Sequence, residues 1–281
     1  MDMTKALSET IVRAEKANPR KPGDYERDGI LICGKCDTPK QVRIRLLGRE
    51  AVVACMCRCA EEAYEAEKAE RKAQELRHRI AIYRQAGFPE SDMQRLTFSA
   101  DDGRDPRTKK VMERYVEKFP EFKRAGKGLI MFGDCGTGKT FAAACVVNAL
   151  IDQGRPCLMT NFSRVANTLS GTFDKQEYLD SLNAYDLIVL DDLGAERSTS
   201  YMTEVVYNII DARYRAGLPM IITTNLSGND LLHPRDIAEQ RVFNRILERC
   251  FPLEVRGPDR RQDTIRRDYG PMKRALGLGE K

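Results

Sequence analysis

The chain has 281 residues, a formal net charge of +5, 32% charged residues and no tryptophan. That length allows one large core plus a small module. With no secretion signal and no apolar run long enough to cross a bilayer, it predicts a soluble, cytoplasmic protein with no membrane partner. The slight basic surplus permits nucleic-acid contact without requiring it, and the few aromatics argue against an extensive base-stacking platform. If single-stranded DNA is bound, phosphate contacts from Lys and Arg should dominate and weaken with salt.

Residues 1–28 open with a short amphipathic pattern from Thr4 to Lys16, which Asn18-Pro19-Arg20-Lys21-Pro22-Gly23 then breaks. Residues 29–60 carry Cys33 and Cys36, then Cys55, Cys57 and Cys59, separated by a stretch of alternating character from Gln41 to Val53. Two clustered sulfur pairs flanking a hairpin have the spacing of a small zinc knuckle. Four thiolates fill a tetrahedral site, and Cys33, Cys36, Cys57 and Cys59 are favoured because the later pair leads into a helix from Ala60. Cys55 is then spare, or replaces Cys57. The plainer alternative is a set of buried, reduced cysteines. Cys135, Cys145, Cys157 and Cys250 stand singly, which disfavours disulfides.

From Glu61 to Gln85 the chain is charged and alanine-rich with i, i+4 acid–base pairs, the pattern of an exposed connecting helix. Gly87-Phe88-Pro89 ends it. The division expected is 1–60 for a zinc-binding, partner-binding module, 61–86 for a helical linker, and 87–281 for a larger domain. Within that domain, Asp101 to Arg107 reads as a loop, Thr108 to Arg124 as a helix, and Gly128 to Phe132 as a buried strand.

Next comes Gly133-Asp134-Cys135-Gly136-Thr137-Gly138-Lys139-Thr140, which matches G-x-x-x-x-G-K-[ST]. Glycines at 133, 136 and 138 let backbone N–H groups surround an anion with no Cβ in the way. Lys139 reaches the β/γ-phosphates of a nucleotide and the Thr140 hydroxyl is placed for Mg²⁺. Phe141 to Leu150 reads as the helix whose positive end faces the phosphates. A chance glycine-rich turn is the alternative, and the strand and helix on the correct sides count against it.

Pro156 to Asn161 reads as a second strand and Phe162 to Glu177 as helix and polar loop. Tyr185 to Gly194 then offers four apolar residues ending in Asp191 and Asp192, a buried parallel strand with acids at its carboxyl edge. Asp191 is expected to hold Mg²⁺ through water, and Asp192 to orient and deprotonate the attacking water. Pro219 to Asn225 is a further strand with a polar end; Asn225, or secondarily Thr224, is the candidate to sense a γ-phosphate. Ile237 to Phe251 reads as a helix with Val242, Ile246 and Cys250 on one face and Arg241, Arg245 and Arg249 on another. A basic cluster, Arg256 to Arg261, follows. An arginine here can reach a neighbour's γ-phosphate or report nucleotide in its own chain; a solvated basic face is the alternative.

The ordered set of P-loop, Asp-Asp-Leu-Gly-Ala-Glu at a strand end, Ile-Thr-Thr-Asn and Arg-Val-Phe-Asn-Arg-Ile resembles the AAA+ ATPases of the DnaC/DnaI helicase-loader group and their relative IstB. The resemblance covers residues 88–265. It implies an α/β fold, a parallel sheet between helices, preceded here by the zinc-binding module and helical linker, in a bacterial or phage replication protein. ATP, Mg²⁺ and Zn²⁺ are the implied cofactors. Lys139, Thr140, Asp191 and Asp192 match the ATPase positions, with residues 133–141 around the phosphates, and Asn225 matches the first sensor. Arg245 matches the arginine finger, with Arg241 in reserve, and Arg261 the second sensor. Arg260 stands where an aromatic is usual, so it remains an alternative to Arg261. The second acid is Asp where wider AAA+ enzymes carry Glu, as is seen in this group.

The resemblance also puts Met93 to Phe98 near the adenine, and Arg164 and Lys175 where loaders touch DNA. It implies a replicative DNA helicase and single-stranded DNA as partners, and self-association through the ATPase domain. DnaI-type loaders likewise carry an N-terminal zinc-binding domain. An IstB-like helper acting on duplex DNA is the second reading, and a small-molecule P-loop kinase a distant third.

Overall fold

The computed structural model describes residues 19–46, 49–88, 90–195 and 200–278; the helix expected from Thr4 to Lys16 lies outside them. The chain divides into two compact units, Met1–Arg77 and His78–Lys281.

The first unit pairs β1 (Tyr25–Arg27) with β2 (Ile30–Ile32), and β3 (Gln41–Leu46) with β4 (Arg49–Ala54), both antiparallel. The second pairing is the hairpin signalled by alternation from Gln41 to Val53. One buried ion pair ties this small unit together: Lys40 Nζ meets Asp24 Oδ2 at 2.6 Å. A long helix, α1 (Arg58–Ala86), follows and has no fully buried residue. It begins three residues earlier than the pattern of acid–base pairs. Its last turns belong to the second unit, where Ile80 and Tyr83 pack half-buried against the core.

In the second unit, the single helix expected over 108–124 is two, α2 (Pro106–Glu117) and α3 (Phe119–Ala125). Pro120 accounts for the break: it has no N–H for the preceding turn and fits only a helix start. Strand β5 (Gly128–Phe132) leads through the P-loop into α4 (Lys139–Asp152). Then come β6 (Cys157–Asn161), α5 (Phe162–Gly171), α6 (Lys175–Ser181), β7 (Leu187–Leu193), α7 (Ser200–Ala216), β8 (Met220–Thr224), α8 (Gly228–Leu232), α9 (Ile237–Arg249), β9 (Cys250–Glu254) and α10 (Arg260–Ala275).

The helix expected to run to Phe251 therefore stops at Arg249, and Cys250 begins a strand instead of closing a helix face. Long-range pairing decides this, because Cys250 to Glu254 align residue by residue with Gly128 to Phe132. Buried Cys250 and Leu253 fit a strand as well as a helix.

The five strands form a parallel sheet in the order β6-β7-β8-β5-β9. Strand side chains alternate between faces. Leu129, Met131, Leu187, Val189 and Ile221 join a core with α2, α3 and α4. Ile130, Ile188, Leu190 and Ile222 join another with α5, α7 and α9. The sheet is thus an α/β layer covered on both faces, and its carboxyl edge collects the loops after β5, β7 and β8.

Fully buried Arg213 braces that layer. Its guanidinium donates to the carbonyls of Leu182, Tyr185 and Pro219 at 3.2, 3.0 and 2.7 Å. Burial lowers its pKa to about 10, which leaves it charged at neutral pH.

Candidate functional site

The loop after β5 turns through left-handed glycines. At Gly136 (φ +77°) a Cβ would lie 1.7 Å from Asp259 Oδ1, so only glycine allows α10 to start against this loop. Gly138 (φ +100°) precedes the first turn of α4, whose free amides and dipole favour an anion. Lys139 is buried, and its Nζ donates to Gly133 O at 2.8 Å and Asp134 O at 2.7 Å. Burial lowers its pKa, against the nearby carboxylates Asp192, Asp134 and Asp191 that raise it.

One side chain on, Thr140 Oγ1 donates to Asp191 Oδ1 at 3.0 Å. Thr223 Oγ1 donates to the same oxygen at 2.5 Å and accepts from the Asp192 N–H at 2.9 Å. Burial raises the Asp191 pKa, and the hydrogen bond from Thr223 works against that rise. Asp192 has φ +58°, a left-handed conformation that costs a non-glycine residue about 1–2 kcal/mol.

A cavity of about 440 Å³ opens over these groups. Its lining includes Lys139, Thr140, Asp192, Asn225 and both Arg260 and Arg261. Gly136, Gly138, Phe141, Leu96 and Ala100 line it too, Leu96 coming from the segment expected near an adenine. Thr224, the second choice for a γ-phosphate sensor, is fully buried, and its hydroxyl is spent on Leu193 O at 2.7 Å.

Arg260 is tied in more closely than Arg261. Its N–H donates to Gly136 O at 3.0 Å, and its Nη1 lies 3.0 Å from Asp102 Oδ1 and 3.8 Å from Asp101 Oδ1. Arg261 is exposed and uses its amide on Asp259 Oδ1 at 3.0 Å. Sequence reading passed over Thr223, Asp259 and the Asp101–Asp102 pair. The local signals were the polar end of a strand, an acid just before the Arg260–Arg261 pair and two acids in a loop.

Neither arginine-finger candidate is among the lining residues of this cavity. Arg245 pairs through Nε with Asp211 at 2.8 Å and stacks over the Tyr207 ring, 4.5 Å from its centroid. Arg241 is exposed on the same helix. Arg164 and Lys175 are exposed at the starts of α5 and α6, on either side of fully exposed Phe173.

The residues fit a divalent cation beside a polyphosphate. A hydroxyl and a carboxylate already share one hydrogen bond at the mouth of the loop, the ligand set hard cations prefer.

In the first unit, the Sγ atoms of Cys33, Cys36, Cys57 and Cys59 lie within 4.8 Å of one another. Cys33–Cys59 and Cys57–Cys59 are separated by 3.7 and 3.5 Å. A tetrahedral zinc with Zn–S near 2.3 Å needs sulfurs about 3.8 Å apart. The amides of Lys35 and Cys36 lower the Cys33 pKa, and chiefly the Thr38 hydroxyl brings Cys36 down to about 5. Cys59, sharing protons with Cys57 and Cys36, rises to about 12. The donors around Cys33 and Cys36 favour thiolates, the form a metal binds. Cys55 stands outside the cluster, with Sγ 3.5 Å from Pro39 O, and no disulfide joins cysteines among the described residues.

A family model described as IstB-like ATP binding protein matches residues 50–267. The replicative helicase loader DnaI of Bacillus subtilis (strain 168) is 25% identical over 189 residues, 62% of this chain and 61% of that protein. A protein described as ATP-binding in an insertion sequence of Mycobacterium tuberculosis is 25% identical over 155 residues, 53% of this chain and 58% of its own length. The replicative helicase loader DnaC of Escherichia coli (strain K12) is 26% identical over 138 residues, 47% of this chain and 54% of that protein. The matched regions thus span between 54% and 61% of these relatives. A crystal structure of DnaI aligns with TM-score 0.52 and 27% identity, over 62% of this chain and 96% of that one.

Proposed function

The chain belongs to the IstB-like ATP binding protein family, as a DnaC/DnaI-like AAA+ protein, and we propose that it is an ATP-hydrolysing loader of the replicative DNA helicase. The observation that carries this reading is the single cavity lined by Lys139, Thr140, Asp192, Asn225 and Arg261. In it Lys139 leaves the loop carbonyls for the β/γ-phosphates of ATP. Thr140 and Asp191 would hold Mg²⁺, which when bound would neutralise charge on the transferring phosphoryl group. Asp192 orients and deprotonates the attacking water, Asn225 contacts the γ-phosphate, and Arg261 reports it. Arg245 acts on a neighbouring subunit's nucleotide, so the ATPase domain, residues 87–281, self-associates.

The cysteine cluster supports the loader over the transposition helper. A Cys₄ zinc module over residues 1–60, joined by the helix at 61–86, provides a separate grip on the helicase. Exposed Arg164 and Lys175 suit single-stranded DNA phosphates, and the whole acts in the cytoplasm. No helix among the described residues is long and apolar enough to cross a membrane. The insertion-sequence relative keeps a second reading in play, an ATP-switched helper on duplex DNA.

Co-purification of the full chain with its host's replicative helicase, in ATP and in ADP, separates the two. A stable complex supports the loader. No complex in either nucleotide, with ATP-dependent binding to duplex DNA, replaces it with the helper. Phosphate release without any acceptor substrate excludes a small-molecule kinase.

A further inference from the structure

Two consecutive residues of an ordinary strand point to opposite faces, so Asp191 and Asp192 should not serve one site. They do because β7 carries an extra residue. The β7–β8 ladder is in register through Leu190↔Ile222 and resumes at Leu193↔Thr224, three residues on along β7 against two along β8. Such a bulge bends the strand and re-aims side chains. Here Asp192 stands at φ +58° and its N–H points to the Thr223 hydroxyl.

We propose that Thr223 is a positioning residue for nucleotide hydrolysis, whose hydroxyl locks this bulge and so sets both acids on one Mg²⁺–nucleotide site. The proposal rests on the ATPase reading above. Thr223 Oγ1 accepts the displaced Asp192 N–H at 2.9 Å. Its single proton then goes to Asp191 Oδ1 at 2.5 Å. One hydroxyl thus fixes the backbone of the second acid and the carboxylate of the first. Thr223 is fully buried, so bulk water has no access to replace it. Thr224 fastens the far end of the bulge, donating to Leu193 O at 2.7 Å and accepting from Leu226 N at 3.1 Å. Valine matches threonine in shape and lacks the hydroxyl; serine keeps the hydroxyl.

The test uses the full chain as wild type, Thr223→Val, Thr223→Ala and Thr223→Ser. Three quantities are read: ATP affinity without and with Mg²⁺, kcat and KM for phosphate release, and the thermal midpoint. Thr223→Val is expected to bind metal-free ATP within about threefold of wild type. It should lose roughly tenfold or more of the Mg²⁺-dependent gain in affinity and about 100-fold in kcat, with KM for Mg²⁺–ATP raised in step with the lost affinity. Thr223→Ser should recover both to within about threefold.

Wild-type Mg²⁺ coupling and kcat in Thr223→Val overturn the proposal, as does a serine variant as defective as the valine one. If Thr223→Val does not fold, Thr223→Ala and Thr223→Ser decide by the same split. A wild-type chain that binds no nucleotide overturns the ATPase reading and this proposal with it. One that binds without turnover leaves the Mg²⁺ coupling to decide on Thr223.

Discussion

Arg245 is held 2.8 Å from Asp211 by its own chain, its guanidinium 4.5 Å from the Tyr207 ring centroid and 5.8 Å from that of Tyr214. A finger reaching a neighbour's phosphate must first leave that pair. The expected outcome for Arg245→Ala is unchanged ATP affinity with turnover down by about 10³, the scale of a lost arginine finger. Asp211→Asn should instead keep turnover, since it loosens the restraint. Normal hydrolysis by Arg245→Ala, measured as phosphate release at assembly-forming concentration, would move the role to exposed Arg241.

Lys139 has its ammonium on two loop carbonyls, at 2.8 and 2.7 Å. A β/γ-phosphate offers it a full negative charge instead, so Lys139→Ala should weaken ATP binding at least 100-fold, about 3 kcal/mol. Equilibrium titration with a fluorescent nucleotide measures this. Retained wild-type affinity would sink the P-loop assignment.

The four converging sulfurs predict one zinc per chain. Replacing Cys33, Cys36, Cys57 or Cys59 by serine should each abolish stoichiometric metal, measured by elemental analysis after gel filtration. Cys55→Ser should leave it intact, because Cys55 Sγ faces Pro39 O. Metal lost in Cys55→Ser and kept in Cys57→Ser would exchange their roles.

Lys40 Nζ, with amides of Lys21 and Gly34, pulls the Asp24 pKa down to about 2. A depressed carboxylate contributes stability above its unfolded pKa of about 3.9. That contribution falls as pH drops through the folded value. The stability difference between wild type and Asp24→Asn should be full at pH 7, shrink below about pH 5 and vanish only below about pH 2. The difference is followed by amide exchange at Gly34, whose N–H donates to Asp24. A difference that does not vary with pH would contradict the ion pair.

Arg213 serves three carbonyls in a layer closed to water. Arg213→Met fills the volume but leaves those acceptors unmet, at a cost of about 3 kcal/mol in urea unfolding. A change below about 1 kcal/mol would mean that the carbonyls find other donors.

Motifs with a local physical cause were legible in the chain itself. The Gly-rich loop needs positive φ at fixed positions, the strand before it is a short apolar run, and two Cys pairs around an alternating stretch imply a hairpin that folds them together. The same four sulfurs do lie together, and the strands at 128, 157, 187 and 220 sit where apolar runs end in polar edges. Proline and the short polar breaks also shorten helices, which is why the stretches over 108–124 and 162–177 divide.

Tertiary structure decided what has no local period. Pro252 bars a further helical turn through these residues, and Cys250 to Glu254 became a strand because β5 offered it an open edge. Thr223 came to hold both acids, 31 and 32 residues back in the chain. Arg260 reached Asp102 across 158 residues, and Arg245 found Asp211 on another helix. The sequence by itself determined which residues carry charge, thiol or hydroxyl and which local turns they adopt, because those follow from backbone sterics over a few residues. Which of those groups meet depends on how the sheet and its helices pack, and close packing of the whole layer sets that.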